Sequence, residues 1–384
     1  MKFSRSRLLV VPAALLLAIS ATPAHAADLS GSGATFVQGI IEACKSGYNK
    51  KTGHSVTYTG TGSSTGRTNS DRSIGDFWFS DDPHLGSTRR ATVVNVPIVA
   101  APIAIMHSLP ARTQLYLSPE TIAGIFSGQI TKWNDPKILA DNNRTITEVI
   151  YKKDSVGNVL KDKNGNNVVL RNVQKSIRYT LPNQNIRVFY RSDGSGTTSN
   201  FTRYMNATAP TIWTKTANST FTTSFPGDIN AAGIKSRFVG ASGSSAVSLN
   251  TANTKYAITY AEESFAKRNG LKVAAVKNAS GTYVAPSTPA TSAFLNEATI
   301  NESTGGVTYK YDTTEKGAYA LGIYSFMMLD LEPADKVKGA AVKQWAEYLL
   351  SEDCIVKEGT AEGFTYLTGK PRTFAEAQLK KMKL

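Results

Sequence analysis

An α/β fold is predicted by two patterns that alternate along the 384 residues of this sequence. Short apolar runs have the two-residue period or the continuous character of β-strands, and longer stretches repeat apolar residues every three or four positions, as helices do. The composition, 41% hydrophobic and 19% charged, is that of a globular chain. Alternation of the two patterns favours a mostly parallel sheet covered by helices.

The predicted strands come first. Residues 55–59 alternate with period two, and residues 93–106 are rich in Val, Ile and Ala, which is typical of a strand buried on both faces. Residues 186–190 and 256–260 form two further short apolar runs. Helical faces are predicted within residues 37–48 and 341–350, where apolar residues recur at helical spacing.

Two other regions have a different character. Residues 151–180 alternate Lys- and Asp-rich stretches with short Val and Leu runs, and Asn164-Gly165 is a strong hairpin turn signal. We therefore expect an exposed extra β-hairpin at about residues 151–180. Residues 210–250 and 277–310 are rich in Ser, Thr, Asn and Ala and are predicted to be loops, and no internal repeat is predicted.

The first 26 residues have the pattern of a signal peptide. Lys2, Arg5 and Arg7 precede a short apolar run from Leu8 to Ile19, and residues 24–26 form an Ala-x-Ala cleavage signal. No cysteine sits at the predicted cleavage point, so a lipoprotein anchor is not indicated. We expect a soluble exported protein, located in a periplasm, at a cell wall or in the medium.

Charge and composition narrow the class of function. The net charge is +14, of which three positive charges lie in the leader, leaving +11 for the rest. An excess of basic residues is compatible with an ordinary soluble surface or with attraction of anions. The basic residues are dispersed, so nucleic acid is not an expected partner. Two cysteines and four histidines argue against a metal site, and no cofactor is expected.

Three glycine-serine segments carry the chemical signal, and we call them elbows. They are residues 31–36, residues 60–66 after the strand at 55–59, and residues 191–198 after the strand at 186–190. A strand that leads through Gly, Ser and Thr into a helix presents unpaired N–H groups at the positive end of the helix dipole. Such an elbow can bind an oxyanion. The alternative for each elbow is an ordinary helix N-cap, and none has the Gly-Lys-Ser/Thr of a P-loop.

Two charged residues add to this pattern. Arg191 opens the third elbow, and its forked donors suit a tetrahedral oxyanion, although a surface ion pair is an equal alternative. Asp81 lies in the stretch Asp76 to Pro83, where a turn residue is the simpler interpretation. An ionised carboxylate only accepts hydrogen bonds. Beside a bound anion, Asp81 would therefore favour phosphate, which keeps a proton at neutral pH, over fully ionised sulfate.

At these residues the sequence resembles the phosphate-binding protein (PstS) family, the extracytoplasmic receptors of the ABC phosphate importer. Gly33-Ala34-Thr35-Phe36, Gly62-Ser63-Ser64 and the stretch Asp76 to Pro83 are similar to family motifs, and Arg191 to Thr197 resembles the most specific one, R-x-D-G-S-G-T. Residues 124–136 match a further family stretch. The resemblance covers most of the chain in the right order.

The resemblance implies a two-lobed periplasmic-binding-protein (type II) fold with a hinge and a ligand cleft between the lobes. Residues 27–107 plus 316–384 would form lobe 1, and residues 108–315 would form lobe 2. The crossovers would lie near residues 99–107 and just before Tyr319. The implied function is high-affinity binding of inorganic phosphate outside the membrane and delivery to a membrane-embedded ABC permease, by a monomer that is not an enzyme.

The resemblance also implies the contacts with phosphate. Asp81 would accept the phosphate proton, Arg191 would pair with phosphate oxygens, and Asp193 would support Arg191. The remaining ligands would donate hydrogen bonds from backbone or hydroxyl groups: Thr35, Phe36, Ser63, Ser195, Gly196 and Thr197. Arsenate, which shares the shape and proton of phosphate, stays open.

Three further points remain open. Residues 62–66 fit the G-x-S-x-G pattern of a serine hydrolase or phosphatase with Ser64 as nucleophile, although no suitably placed histidine follows. A wall-associated adhesin that binds anionic polymer through its charge is a second alternative. Cys44 and Cys354 are either two buried thiols or, in an oxidising compartment, a disulfide within lobe 1.

Overall fold

The computed structural model describes residues 26–110 and 114–384. The predicted leader lies outside these residues except for Ala26. Sixteen strands and thirteen helices are described. The strands are β1 (Asp28–Gly33), β2 (Ser55–Gly60), β3 (Phe77–Ser80), β4 (Val93–His107), β5 (Tyr116–Leu117), β6 (Arg144–Tyr151), β7 (Val169–Ile177), β8 (Arg187–Arg191), β9 (Phe238–Ala241), β10 (Ala257–Glu262), β11 (Lys272–Val273), β12 (Ala275–Lys277), β13 (Tyr283–Val284), β14 (Thr299–Ile300), β15 (Val307–Thr308) and β16 (Gly322–Asp330).

The helices flank these strands, and a π-helical turn, Ile355–Gly359, follows the twelfth helix. They are α1 (Gln38–Thr52), α2 (Ser63–Asp71), α3 (Pro119–Phe126), α4 (Pro136–Asn142), α5 (Gly196–Thr208), α6 (Phe221–Ser224), α7 (Ala232–Lys235), α8 (Gly243–Ala252), α9 (Glu263–Asn269), α10 (Thr288–Leu295), α11 (Lys336–Leu349), α12 (Glu352–Cys354) and α13 (Gly369–Lys380). The α/β class and the four predicted strands are confirmed. No described helix is long and apolar enough to cross a membrane.

A nine-stranded sheet runs through the molecule in the order β2-β1-β3-β16-β4-β10-β8-β9, with β11 also paired to β4. The first part of β4 pairs with β16, and its last part, from Ile103 to His107, pairs with β10. This strand therefore belongs to both halves of a two-lobed molecule. We call the half with β1, β2, β3 and β16 the first lobe, and the half with β8, β9 and β10 the second.

The sheet is parallel only at its two ends. β1 pairs in parallel with β2 and β3, and β8 with β9 and β10. In the centre β16 runs antiparallel to β3 and β4, and β10 antiparallel to β4. The prediction of a mostly parallel sheet is wrong there. The chain leaves the first lobe along β4 and returns beside it along β16, so these strands must point in opposite directions.

Both predicted helical faces pack in the core of the first lobe. α1 buries Ile40, Ile41 and Tyr48, and α11 buries Trp345, whose ring centroid lies 5.0 Å from that of Tyr48. Apolar area removed from water by such packing is the main favourable term in folding. The sulfurs of Cys44 and Cys354 are bonded, with their Cα atoms 5.3 Å apart, so the disulfide joins α1 to α12.

The predicted extra hairpin is present but begins earlier and has a different end. β6 and β7 pair antiparallel over residues 144–177. Asn164-Gly165 forms a tight turn, as predicted, but a second tight turn precedes it, so the two strands are not joined by one simple hairpin loop.

The predicted loops at residues 210–250 and 277–310 are wrong in part. They contain α8 and α10, because burial of residues such as Val247 and Phe294 outweighs the low helix propensity of Ser, Thr and Asn.

Candidate functional site

The first elbow lies between β1 and α1. Gly33 has a φ of 134°, and a Cβ there would lie 2.1 Å from the carbonyl oxygen of Phe79, so only glycine fits. Thr35 and Phe36 follow in a buried bend. Their amides donate to no acceptor among the described residues, whereas the amide of Ala34 donates to Phe79. The elbow therefore holds two adjacent buried N–H groups without a protein partner.

The second elbow begins α2 at Ser63, which follows β2 and Gly62. Its hydroxyl accepts a hydrogen bond from the amide of Asp81 at 3.2 Å and keeps its own proton for donation. α2 forms although its sequence has no apolar face, because Gly66 packs against β1 and β3 where a side chain would collide with the backbone. Ser63 and Asp81 are both 1% exposed.

The third elbow begins α5 in the second lobe. Ser195 is the N-cap, and its hydroxyl accepts from the amide of Thr198 at 3.1 Å. The amide of Ser195 itself donates to the carbonyl oxygen of Ser219 at 2.9 Å. Ser195 therefore offers a ligand only its hydroxyl proton. The free amides at this helix start belong to Gly196 and Thr197, at the positive end of the helix dipole.

Arg191 lies at the end of β8 and is 2% exposed. Its Nε donates to Oδ1 of Asp193 at 2.6 Å, and its Nη2 donates to the other carboxylate oxygen. Burial opposes ionisation of Asp193, but the hydrogen bonds and charge of Arg191 lower its pKa overall. The carboxylate fixes the guanidinium group of Arg191 in one orientation. Each Nη group then keeps a hydrogen that can be donated to a ligand.

Asp81 lies between the lobes, immediately after β3. Its Oδ2 accepts from the hydroxyl of Thr197 at 2.9 Å, and its Oδ1 accepts from the hydroxyl of Ser325 at 2.8 Å. Burial raises the pKa of Asp81 to about 6, although these two hydrogen bonds and the charge of Arg191 lower it. A carboxylate can accept more than two hydrogen bonds, so Asp81 retains the capacity to accept another.

The structure brings all the predicted anion ligands into one buried region between the lobes. Contacts across the cleft include Ser64 N to Gly194 O at 3.0 Å and Thr197 to Asp81. A Cβ on Gly196 would lie 2.7 Å from the Ser63 hydroxyl, so the second and third elbows are in direct contact. Among the described residues, no group of three or more His, Cys, Asp or Glu side chains could hold a metal.

Sequence reasoning missed Ser244, at the start of α8. Its amide donates to the Thr35 hydroxyl at 3.1 Å, the two hydroxyls share a hydrogen bond at 3.0 Å, and Nη1 of Arg191 donates to Ser244 at 3.2 Å. Ser244 therefore joins the first elbow to Arg191. The signal was a fourth Gly-Ser segment at residues 240–245, which follows β9 and begins a helix as the other elbows do.

Ser325, which donates to Asp81, was also missed. It lies within the apolar run of β16, where a lone serine is the one polar residue between Gly322 and Leu329 apart from the hydroxyl of Tyr324. The pairing of β16 with β4 shifts by one residue between Ser325 and Phe326. Such a bulge re-aims side chains, and here Ser325 points at Asp81.

Ser64 has no triad around it in the described part of the chain. Its hydroxyl accepts from Arg67 at 3.0 Å and donates to Ser219 at 3.3 Å. His84 is hydrogen-bonded to Asp71 at 2.8 Å, and ring nitrogens of His54 and His107 accept from backbone amides.

The sequence is similar to those of known proteins. A family profile described as a PBP superfamily domain matches residues 18–353. The phosphate-binding protein PstS of Haemophilus influenzae is 29% identical over 311 residues, which cover 80% of this chain and 79% of that protein. PstS of Pasteurella multocida is 30% identical over 277 residues, which cover 71% and 67%.

Solved structures show the same fold. A high-affinity periplasmic phosphate-binding protein solved with bound phosphate has a TM-score of 0.64 and 22% identity, and the match covers 91% of this chain and 93% of that one. The chain therefore belongs to the PBP superfamily and, within it, to the PstS family.

Proposed function

We propose that this protein binds inorganic phosphate outside the membrane and delivers it to an ABC permease for import. Membership of the PstS family supports phosphate as the ligand, because the relatives above are named phosphate-binding proteins. The observation that carries the proposal is the convergence of free amides from the first and third elbows, the Arg191 fork and Asp81 at one buried place between the lobes.

Each proposed contact uses a group that the protein leaves available. The amides of Thr35, Phe36, Gly196 and Thr197 would donate to phosphate oxygens, as would the hydroxyl protons of Ser63 and Ser195. Arg191 would donate from its two Nη groups, oriented by Asp193. Ser244 would support Thr35 and Arg191 together. Charge-assisted hydrogen bonds of this kind are about twice as strong as neutral ones.

Asp81 would distinguish phosphate from sulfate. Its carboxylate accepts hydrogen bonds, so a protonated oxyanion gains a contact there that a fully ionised one lacks. Asp81 is only 1% exposed, so an unpaired negative charge there is costly. Water would not screen the repulsion between this carboxylate and sulfate. Thr197 and Ser325 hold the carboxylate in place from opposite lobes.

Closure of the lobes would accompany binding. We assign residues 27–107 plus 316–384 to the first lobe (lobe 1) and residues 108–315 to the second lobe (lobe 2). The crossovers between them would be β4 and the segment before β16. The proposed ligands come from both lobes, so one anion would stabilise the closed form. Binding and closure require no bond to be made or broken, and we propose that the protein is a receptor and not an enzyme.

The remaining assignments follow from the same proposal. The predicted leader would direct export, and the Cys44–Cys354 disulfide suits an oxidising compartment. We propose that the exported protein acts as a monomer, presenting the closed lobes to a membrane-embedded phosphate permease.

Calorimetric titration of the ligand-cleared protein with phosphate, sulfate and arsenate tests the proposal. We expect stoichiometric binding of phosphate and arsenate, with sulfate bound far more weakly. Sulfate bound as tightly as phosphate would contradict the role of Asp81, and no binding of any of the three would contradict the function. A Ser64→Ala variant distinguishes the receptor from the hydrolase alternative. It should bind phosphate normally if the protein is a receptor. If the wild type had phosphatase or esterase activity and the variant lost it, the hydrolase alternative would be supported.

A further inference from the structure

The ribbon formed by residues 144–178 projects from the second lobe. Twelve of the seventeen residues of β6 and β7 are exposed and the other five are half-buried. Their length of eight and nine residues corresponds to roughly 26–30 Å. The base is fixed, because the guanidinium of Arg144 stacks 3.8 Å from the ring centroid of Tyr116 and 4.6 Å from that of Tyr283. The ribbon thus has a fixed base and a free end.

The end of the ribbon is an eight-residue unit that occurs twice, residues 153–160 and 161–168, which corrects the prediction of no internal repeat. Both copies begin Lys-Asp and carry Gly-Asn at the same positions. In both, one carboxylate oxygen accepts from two amides: Asp154 from Val156 and Asn158, and Asp162 from the corresponding residues of the second turn, at 2.8–2.9 Å. The two turns therefore have the same local structure.

The first copy differs from the second in having apolar residues at two exposed positions where the second has asparagine. Val156 stands where the second turn has Asn164 and is 82% exposed, and Val159 stands where the second has Asn167. Leu160, Val169 and Leu170 are also exposed beside them. Of thirteen large apolar side chains exposed in the described residues, seven lie in this ribbon. A concentration of that kind marks an interaction surface.

The charge around these side chains is positive. Residues 144–178 contain eight basic and three acidic residues, a net charge of +5. The acidic residues are occupied: Asp154 and Asp162 hold the two turns, and Glu148 lies 3.5 Å from Lys175. Lys152, Lys153, Lys161 and Lys163 flank the exposed apolar residues. Apolar side chains surrounded by lysine fit a surface that is negatively charged outside and apolar just beneath.

We propose that this ribbon docks on an anionic lipid bilayer. The two turns enter the headgroup layer, Val156, Val159 and Leu160 contact the acyl boundary, and the lysines pair with lipid phosphates. This mode needs apolar and basic groups together, and the ribbon supplies both at its free end. The proposal rests on the export proposed above but not on phosphate binding, since the ribbon contributes no residue to the interlobe site.

Co-sedimentation with phosphatidylcholine vesicles containing about one quarter phosphatidylglycerol tests it. The protein should bind these vesicles, bind pure phosphatidylcholine far less, and dissociate as salt is raised. The double variant Val156→Asn, Val159→Asn places at these two positions the residues that the second turn carries there, so it should fold. It should lower the vesicle partition coefficient by roughly tenfold and leave phosphate affinity unchanged.

The matched control is Val337→Asn, which removes a valine that is 62% exposed on α11, outside the ribbon. It should leave vesicle binding unchanged. Equal binding to charged and neutral vesicles, no effect of the double variant, or binding to an anionic wall polymer without binding to vesicles would each overturn the proposal. Because phosphate titration is measured on the same samples, loss of the phosphate function would be seen separately.

Discussion

Under the proposed function, Asp81 is the residue on which ligand choice would depend. Two hydroxyls donate to it from opposite lobes, and its burial keeps water from screening the charge. Both features favour a ligand that carries a proton. A protonated ligand oxygen can donate a hydrogen bond to the carboxylate, whereas an unprotonated ligand oxygen would only repel it.

The Asp81→Asn variant should therefore bind phosphate more weakly and sulfate more tightly. A neutral amide removes the repulsion of sulfate and can donate to it, so the ratio of the two affinities should fall by about tenfold or more, the scale of a charged hydrogen bond. Titration calorimetry of both anions measures the ratio. A ratio equal to that of the wild type would show that Asp81 does not select the ligand.

The pH dependence of stability provides a second test at this residue. Burial raises the pKa of Asp81 from 3.8 to about 6, so the folded state holds its proton more tightly than the unfolded state. The protonated carboxyl of Asp81 therefore contributes to the free energy of unfolding. This contribution is complete below about pH 3.8 and is lost as pH rises through 6, a change of about 3 kcal/mol.

Asp81→Asn removes this titration. The difference in unfolding free energy between ligand-cleared wild type and variant, measured by denaturant titration, should thus change by about that amount between pH 3 and pH 7. A difference that is independent of pH would contradict a raised pKa.

At the scale of elements, the site depends on helix starts placed against one another. α2 begins in the first lobe and α5 in the second, and they meet where Gly196 contacts Ser63. Neither helix alone would enclose an anion. Their juxtaposition places the positive ends of two helix dipoles on one small volume.

Gly196→Ala tests how close these elements must come. The backbone of Gly196 is helical and tolerates alanine, but the new Cβ would lie 2.7 Å from the Ser63 hydroxyl and 2.9 Å from the amide of Asp81. We expect phosphate affinity to fall at least tenfold, because the lobes could not close fully. Gly233→Ala, where nothing lies within 4 Å, is the matched control. Equal affinities of the two variants in calorimetry would argue against tight closure.

At the scale of the whole molecule, two kinds of contact bridge distant parts of the chain. The disulfide joins residues 310 positions apart within the first lobe. Across the cleft, Asp82 accepts from Nη2 of Arg203 at 2.9 Å and from the Ser199 hydroxyl at 2.8 Å. The first contact constrains the unfolded chain, and the second joins the two lobes directly.

Replacing both cysteines by alanine should lower the unfolding free energy by about 2–5 kcal/mol, because the cross-link closes a very long loop in the unfolded chain. Thermal or denaturant unfolding measures the loss, and reductant should produce a similar loss in the wild type only. Phosphate affinity should stay the same, since neither cysteine is among the proposed ligands. Equal stability of variant and wild type would mean that the cross-link is dispensable.

Asp82→Asn should weaken phosphate binding about twofold to fivefold, the range for a partly exposed ion pair. The loss would arise from destabilising closure, because Asp82 is not among the proposed phosphate ligands. Glu332→Gln, which breaks an exposed ion pair with Lys383 within the first lobe, is the control and should have no effect. A similar loss in both variants would point to general electrostatics instead of closure.

The sequence by itself determined the α/β class, four of the sixteen described strands and three of the helix starts, and it predicted most of the candidate ligands. Residues 93–106 indicated a strand buried on both faces, and residues 191–198 indicated an oxyanion elbow after a strand, because both patterns are local and depend on neighbouring residues. The Ser/Gly segment around Ser244 was visible too, but its composition resembled a loop.

Only the tertiary structure decided how those local pieces meet. Ser325 contacts Asp81 across 244 residues, and the amide of Ser195 is occupied by Ser219, which no periodicity could indicate. The antiparallel centre of the sheet follows from β4 and β16 crossing between lobes. Such contacts are fixed by side-chain packing and by the need of every buried polar group for a hydrogen-bond partner. Both requirements involve residues that are far apart in the sequence.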